Sequence, residues 1–322
     1  MAQPEKLISL LRSDARYVCG QELGTKAGIS RSAVWKQIEL LRRYGYTIES
    51  RRGLGYRLTV HTDIPVPWEL AKILCTSIIG KQIIYRETID STQNLAISLA
   101  SKPGSDGAVV IAGRQESGRG RQKRRWLSPK GGLWLSVILK PEIPTARITI
   151  LPFAAALAVC EALKALGVAA RLKWPNDVMA SGKKIAGILL DISATADQVN
   201  YVVIGIGINA NVDSATISAR LPGTKITSIS DELGWNTNRL QLTKSLLENL
   251  EGYYLGIEHR ARGEILQKWK KNSDMLGRKV AVSYKSKTIR GVATDVNEDG
   301  SLTLLTDKGC IDVVSGDIRV RY

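Results

Sequence analysis

The chain has 322 residues, 44% of them hydrophobic, and carries 46 Lys and Arg against 30 Asp and Glu, a net charge of +16. That length fits two or three domains, the apolar share excludes a disordered chain, and the charge points to an anionic partner such as nucleic acid, a nucleotide or an acidic protein. No apolar run approaches the roughly 18 residues of a membrane span, and MAQPEKLISLLRSD lacks the apolar stretch of a secretory signal, so a cytoplasmic protein with no membrane role is expected.

Pro4 suits a helix start, and Leu7, Leu10 and Leu11 line an amphipathic helix behind it. GQELGTKAGISRSAVWKQIELLRRYGY, residues 20–46, then describes two helices around a turn. Leu23 and Ala27 lie on the inner face of the first; Gly28 permits the turn, Ile29 plugs the core and Ser30 caps the second. Val34, Ile38 and Leu41 recur at i, i+4 and i+7 and face inward, which leaves Arg31, Ser32, Trp35, Lys36 and Arg42 outside. YTIESRRGLGYRLT follows as two short strands joined through Arg51-Arg52-Gly53-Leu54-Gly55, a wing with arginines placed for phosphates. Together with a charge of +6 over residues 1–60, this is the layout of a winged helix-turn-helix. Its expected DNA-binding residues are Gly20, Gln21, Ser30, Arg31, Ser32, Trp35, Lys36, Arg51 and Arg52. The competing reading is a small helical bundle with a solvated basic face, and Trp35 could equally be an interdomain contact. HTDIPVPWEL, with prolines at 65 and 67, reads as a linker, so the first domain is placed at residues 1–62.

The middle of the chain, residues 63–272, alternates strand and helix signals. IIYRET is a short strand, after which Ser91 and Thr92 open a helix whose free amides and hydroxyls suit a small polar or anionic group. Ala108–Ala112 is a buried-looking strand that leads into RQESGRGRQKRRW. Between Arg114 and Lys130 seven Lys/Arg face one Glu, a local charge of +6 on a glycine hinge. Backbone amides and guanidinium groups on such a hinge suit phosphate oxygens. GGLWLSVILK alternates as a half-buried strand, LPFAAALAVCEALKALG is an apolar helix, and RLKWPNDVMASGKKIAGILLDIS reads as strand, turn and strand. YVVIGIGINANV is a buried strand running into glycines and asparagines. Its GxGxN lacks the helix-opening pattern of a Rossmann site, and the absence of GxxxxGK[ST] excludes a P-loop.

Residues 236–271 carry apolar positions at Leu240, Leu246, Leu247, Leu250, Tyr254 and Ile257 and finish the domain as helix. From Leu276 the chain is short alternating strands with turns at Ser286-Lys287, Glu298-Asp299-Gly300 and Asp307-Lys308-Gly309, a small β-barrel at residues 273–322. Cys19, Cys75, Cys160 and Cys310 stand far apart without a CxxC, which argues against zinc and a disulfide framework and for reduced, buried thiols. His61 and His259 read as surface residues.

IDSTQN, GRGRQKRRW, KWPNDV, KKIAGILLD and GIGINANV, in that order, resemble the catalytic domain of biotin–protein ligases. With a helix-turn-helix ahead of it, the whole chain is similar to the bifunctional bacterial form, biotin–acetyl-CoA-carboxylase ligase and biotin operon repressor. The resemblance implies a multidomain α+β fold: winged helix-turn-helix, a class II aminoacyl-tRNA synthetase-like α/β catalytic domain and an SH3-like β-barrel. It implies biotin contacts at Ser91, Thr92, Gln93, Gln115, Gly118, Arg119, Gly120, Arg121, Lys184 and Gly187. It places nucleotide contacts at Arg119, Arg121, Trp126, Asn176, Lys184 and Asn209, and catalytic charge at Lys184, Arg119 and Arg121. After GRGR the sequence departs from the enterobacterial pattern, with Gln122 and Lys123 for an Arg-Gly pair and Leu127 where an aromatic follows the tryptophan.

The implied chemistry converts biotin and ATP, with Mg²⁺ on the phosphates, into biotinyl-5′-AMP and then passes biotin to a lysine of the biotin carboxyl carrier protein. The implied second role is repression at operator DNA of the biotin genes by a homodimer bound to biotinyl-5′-AMP. Two alternatives stay open: a lipoate or octanoate ligase on a similar fold, and a ligand-sensing transcription factor that binds without reacting. For Lys184 the bland alternative is a surface lysine in a hairpin turn; for Trp126 and Trp174 it is ordinary core packing.

Overall fold

The computed structural model describes residues 3–14, 16–195, 198–221, 223–258, 262–284, 287–314 and 316–320. His259 and Ser286, at one expected turn, lie outside the described residues. The chain forms two compact units, Met1–Lys72 with Asn238–Gln241 and Ile73–Thr237 with Leu242–Tyr322.

In the first unit, helices α1 (Gln3–Arg12), α2 (Gly20–Ala27) and α3 (Arg31–Arg43) pack through Leu7, Leu11, Leu23, Val34, Ile38 and Leu41. Caps define the helix ends: Cys19 Sγ accepts the Glu22 amide, Ser30 Oγ accepts the Ala33 amide, and Gly28 ends α2 at φ +73°, a backbone that favours glycine. Strands β1 (Thr47–Arg51) and β2 (Gly55–Val60) pair antiparallel with Arg51 opposite Gly55. The order of elements is that of a winged helix-turn-helix.

The segment expected as a linker belongs to this unit instead. Helix α4 (Pro67–Ile73) carries Glu69, only 6% exposed, which accepts Arg12 Nη2–H at 2.6 Å and the Tyr46 hydroxyl. That hydroxyl accepts the Trp68 indole N–H at 2.7 Å. A buried carboxylate must keep its donors, so this network pins the segment to the helices.

The second unit is built on a seven-stranded sheet. Its strands are β3 (Ile83–Ile89), β4 (Val109–Gln115), β5 (Leu133–Leu139), β6 (Ala170–Lys173), β7 (Asp177–Ala180), β8 (Lys183–Ala194) and β9 (Val199–Ile208), in the order β3-β4-β5-β9-β8-β7-β6. β3 and β4 run parallel and the other neighbouring pairs antiparallel. Helix α5 (Thr92–Ala100) lays Ala96 and Ala100 on Val110, Ile138 and Val203, while α6 (Leu151–Ala165) packs beside β6, β7 and β8. Helices α7 (Ser214–Ala219), α8 (Ile229–Leu233), α9 (Arg239–Glu258) and α10 (Arg262–Asn272) follow. The chain closes with β10 (Lys279–Tyr284), β11 (Lys287–Val296), β12 (Leu302–Thr306), β13 (Gly309–Val313) and β14 (Asp317–Val320), an antiparallel sheet ordered β13-β12-β11-β10-β14.

Four local expectations change. β5 is a central strand, between β4 and β9, buried along its whole length with α5 packed against it. RLKWPNDV…ILLDIS makes three strands, not two, since Trp174, Pro175 and Asn176 already turn the chain between β6 and β7. Arg147–Ala165 is long and apolar enough to cross a membrane, yet most of it is buried in the protein interior. Of the four free thiols only Cys160 is buried; Cys19, Cys75 and Cys310 are exposed.

Candidate functional site

The site begins with three missing side chains. Gly187 of β8 sits opposite Gly207 of β9, and Gly205 lies two residues along on the same face as Gly207. A Cβ would come within 2.4 Å of Gln93 Oε1 at Gly205, 2.5 Å of Trp126 Nε1 at Gly207 and 2.9 Å of Trp126 Cζ3 at Gly187. The glycines thus leave a flat floor, on which the Gln93 amide and the Trp126 indole lie.

One end of that floor is polar and buried. Gln115 Oε1 accepts the Thr92 amide at 2.8 Å and the Thr92 hydroxyl at 3.0 Å, and Gln115 Nε2 donates to Ser128 Oγ at 2.8 Å. Ser136 Oγ, with a single proton, lies 2.9 Å from both Thr92 Oγ1 and Gln93 Oε1. Ser91 at the start of α5 is fully buried, and its hydroxyl has no hydrogen-bond partner; neither has Trp126 Nε1. Two unsatisfied buried groups beside one floor mark where a polar planar ligand would be held.

The basic loop is a folded hairpin. Gln115 donates its amide to Ser128 O at 3.0 Å, Trp126 to Gly118 O at 2.8 Å and Gly120 to Arg124 O at 2.8 Å. Gly118 is required because a Cβ there would sit 2.4 Å from Trp126 O. Arg119 reaches Asn94 Oδ1 at 3.2 Å and Asp191 Oδ1 at 3.1 Å, and Arg121 reaches Asn176 Oδ1 at 3.1 Å. Loop residues together with Leu189 and Asp191 line a cleft of ≈ 570 Å³. At the tip, Gln122 and Lys123 take the left-handed backbone at φ 54° and 61°. Glycine holds such a position without strain, so this sequence stiffens the tip at some cost.

Lys184 stands at the opposite edge. Its Nζ lies 2.5 Å from Asp177 Oδ1 and 5.0 Å from the Trp126 ring centroid, while its amide and carbonyl pair with Lys225 and Thr227. Asn176 donates its side-chain amide to Ile188 O, so its carbonyl is aimed at Arg121. Asn209 is 3% exposed and spends its amide on Thr227 O at 3.0 Å, bracing the segment beside Lys184. Trp174, 1% exposed, donates to Gly300 O at 2.8 Å, the packing role its bland alternative named.

On the first unit, Gln21, Ser30, Arg31, Ser32, Trp35, Lys36, Arg51 and Arg52 are exposed and Gly20 is half-buried. The Arg51 and Arg57 guanidinium groups lie 5.0 and 4.8 Å from the Tyr17 ring centroid. The Tyr17 hydroxyl donates to Glu49 at 2.5 Å, a bond that pushes the phenol up and holds the Glu49 carboxyl down. Tyr17 and Asp191 are the residues that sequence reasoning missed. The signal for Asp191 was an acid closing an apolar strand; for Tyr17 there was none.

A family model described as the Biotin/lipoate A/B protein ligase family matches residues 85–209, an HTH domain matches residues 5–57, and a Biotin protein ligase C terminal domain matches residues 275–321. The bifunctional ligase/repressor BirA of Bacillus spizizenii is 34% identical over 311 residues, 96% of this chain and 95% of that protein. The protein of the same name from Escherichia coli is 31% identical over 322 residues, 99% of this chain and 97% of that one. Among solved structures, the biotin protein ligase of Aquifex aeolicus in complex with biotin and ATP is similar with a TM-score of 0.63 and 29% identity, covering 75% of this chain and 99% of that one.

Proposed function

The chain belongs to the biotin protein ligase family in its bifunctional ligase/repressor form, and on that premise we propose what each part of the site does. The protein is an ATP-dependent biotin–protein ligase and a DNA-binding repressor. The observation that carries the assignment of the site is the floor of Gly187, Gly205 and Gly207 with the unpartnered Ser91 hydroxyl beside it and Arg119, Arg121 and Lys184 around it.

In this reading biotin lies beside the Gln93 amide and the Trp126 indole that cover the floor, its ring held by Ser91, Thr92, Gln93 and Gln115, with Gly118, Gly120 and Gly187 among the residues around it. A biotin carboxylate oxygen attacks the α-phosphorus of ATP, the bond to the bridging oxygen breaks, and pyrophosphate leaves. The ε-amine of the acceptor lysine then attacks the acyl carbon of biotinyl-5′-AMP, AMP departs with the bonding electrons, and the amine loses a proton. No protein nucleophile is needed; the chain positions the reactants and stabilises charge. Arg119, Arg121 and Lys184 neutralise phosphate charge, with Lys184 acting as a point donor between carboxylate and phosphate. Trp126 flanks the nucleotide, Asn176 orients Arg121, and Asn209 supports the same site through the 227 segment. Folding of the 115–128 loop over the anhydride keeps water away until the acceptor docks.

Among the described residues no group of three His, Cys, Asp or Glu side chains could hold a metal ion. Bound together with ATP, Mg²⁺ would supply charge neutralisation beside Arg119, Arg121 and Lys184. The acceptor is the biotin carboxyl carrier protein. The winged helix-turn-helix contacts operator DNA of the biotin genes through the exposed residues of α3 and the wing, as a homodimer formed with biotinyl-5′-AMP, which suits paired half-sites. The mixed sheet supports a class II aminoacyl-tRNA synthetase-like catalytic domain, and the five antiparallel strands support an SH3-like barrel over 273–322, behind a DNA-binding domain whose compact unit runs past the expected boundary at 62 to Lys72. The test is pyrophosphate release from Mg-ATP on adding biotin, with lipoate in parallel. Release with biotin alone is expected; release with lipoate alone, or with neither, overturns the reading.

A further inference from the structure

Trp35 is 55% exposed on the outer face of α3, away from the buried Val34, Ile38 and Leu41. Among the described residues of the first unit, the exposed large apolar side chains are Trp35, Leu54 and Val60. Leu54 lies in the wing turn and Val60 ends β2, so Trp35 is the one that a helix presents. Arg31 stands one turn before it and Glu39 one turn after, with Ser32 and Lys36 beside it. A Cβ at Gly20 would meet Arg31 Cγ and Tyr56 Cε2, each at 3.6 Å, so the starts of α2 and α3 join β2 there. Glu39 accepts Arg42 Nη1–H at 2.6 Å, and the same guanidinium donates to Ile48 O at 2.6 Å and Ser50 Oγ at 2.7 Å. The acid on this stripe is therefore matched, and it is turned toward the wing.

An indole has no charge to offer a phosphate, yet exposed cations flank it in the same unit: Arg31 and Lys36 on α3, Arg51 and Arg52 on the wing. Those cations suit the DNA backbone and set the register of the helix on it. A side chain between them, on the helix that enters the major groove, meets base edges. The edges there present donors, acceptors and one apolar group, the 5-methyl of thymine. Against that methyl the indole face sheds water without stranding a polar group, and against any other edge it does not.

We propose that Trp35 is a specificity-determining residue: its indole packs on the 5-methyl of one thymine in each operator half-site. This rests on the repressor reading and deepens it, from an exposed helix face to the base chemistry that the face selects.

The test uses the full chain with preformed biotinyl-5′-AMP. Duplexes enriched by the parent from a random pool supply the site, and each thymine is replaced in turn by deoxyuridine, which lacks only the methyl. One replacement per half-site is expected to weaken the parent about fourfold, the loss for one methyl-sized group leaving an apolar contact. Trp35→Ala is expected to bind the unmodified site about tenfold more weakly and to show no further loss from that replacement. Its salt slope and melting temperature should equal the parent's, since no phosphate contact and no core side chain is lost. A deoxyuridine response in Trp35→Ala equal to the parent's overturns the proposal, as does parent-like affinity. So does a salt slope lower by about 0.9, which would make the indole a phosphate contact. Loss of self-association without DNA in Trp35→Ala would give the indole to a second copy of the chain and overturn it too. If the parent enriches no sequence, the repressor reading itself fails; enrichment with no response to deoxyuridine fails the proposal alone.

Discussion

The Lys184 ammonium rests 2.5 Å from a carboxylate oxygen of Asp177, and the two residues project from paired neighbouring strands whose register shifts between Val178 and Met179. The pair orients Lys184, and the electron-rich face of Trp126, its centroid 5.0 Å from the ammonium, adds a second contact. A lysine so held can deliver charge to a phosphate without being rebuilt for each turnover.

Lys184→Ala should therefore slow biotin-dependent pyrophosphate release by roughly 10²–10³-fold, the usual loss for one preorganised transition-state donor. Lys184→Arg should recover little, since the guanidinium fork does not fit a point-charge site. Single-turnover quench-flow with labelled ATP measures both. Parent-like rates in Lys184→Ala would remove the lysine from the chemistry.

Gly207→Ala tests the floor. The new methyl would meet Trp126 Nε1 at 2.5 Å, so the indole must tilt or leave. We expect the KM for biotin to rise at least tenfold and the tryptophan emission to shift, with a stability loss of about 1–3 kcal/mol from overpacking. Gly104→Ala is the control, because nothing lies within 4 Å of a Cβ there, although its φ of +71° makes a small strain cost expected. An unchanged KM in Gly207→Ala would show that the ligand binds elsewhere.

The wing makes a separate, electrostatic prediction. Arg52→Ala should weaken operator binding and lower the slope of log K against log salt by about 0.9, the mark of one lost phosphate contact. Tyr17→Leu removes the ring beneath Arg51 and Arg57, and its effect on affinity should be roughly two- to fivefold, in line with about 0.5–1 kcal/mol for an exposed cation–π contact. Fluorescence anisotropy over a salt series separates the two, and ligase activity should be untouched by either. An unchanged slope in Arg52→Ala would take the wing tip off the backbone.

Much of this was legible from local pattern. The first unit follows from a helical period at Val34, Ile38 and Leu41 in a helix capped by Ser30, with Gly28 ending the helix before it, all of it short-range information. The site residues were legible one motif at a time, because glycine and arginine carry their chemistry in their types. What joins them was not. Gly187 and Gly207 are neighbours only because β9 inserts between β5 and β8, and no periodicity reveals a strand order. Asp191 meets Arg119 across 72 positions of sequence, and Glu69 meets Tyr46 where the prolines suggested a free linker. Long-range partners of single polar residues leave no local trace.

The last prediction concerns pH. Burial alone pushes the Glu251 carboxyl up, but it accepts the amides of Ser77, Ile78 and Ile79 and the Ser77 hydroxyl at 2.5 to 3.0 Å, and together these bonds hold it below the usual carboxylate range. A carboxyl lowered in the folded state binds protons more readily when unfolded, so its stabilisation is complete above the unfolded value near 4.3. That stabilisation is lost as pH falls through the lower folded value. The second unit should therefore lose stability below about pH 5. Glu251→Gln leaves one carbonyl for three amides and sets an NH₂ against them, so it should cost about 1–3 kcal/mol at pH 7. The same variant should also melt with a weaker pH dependence between roughly pH 5 and 3, because the titrating group is gone. Urea unfolding of parent and variant across that range measures both. Parallel curves, with the gap at pH 7 preserved at pH 3, would mean that the carboxylate charge plays no part in holding residues 77–79 to α9.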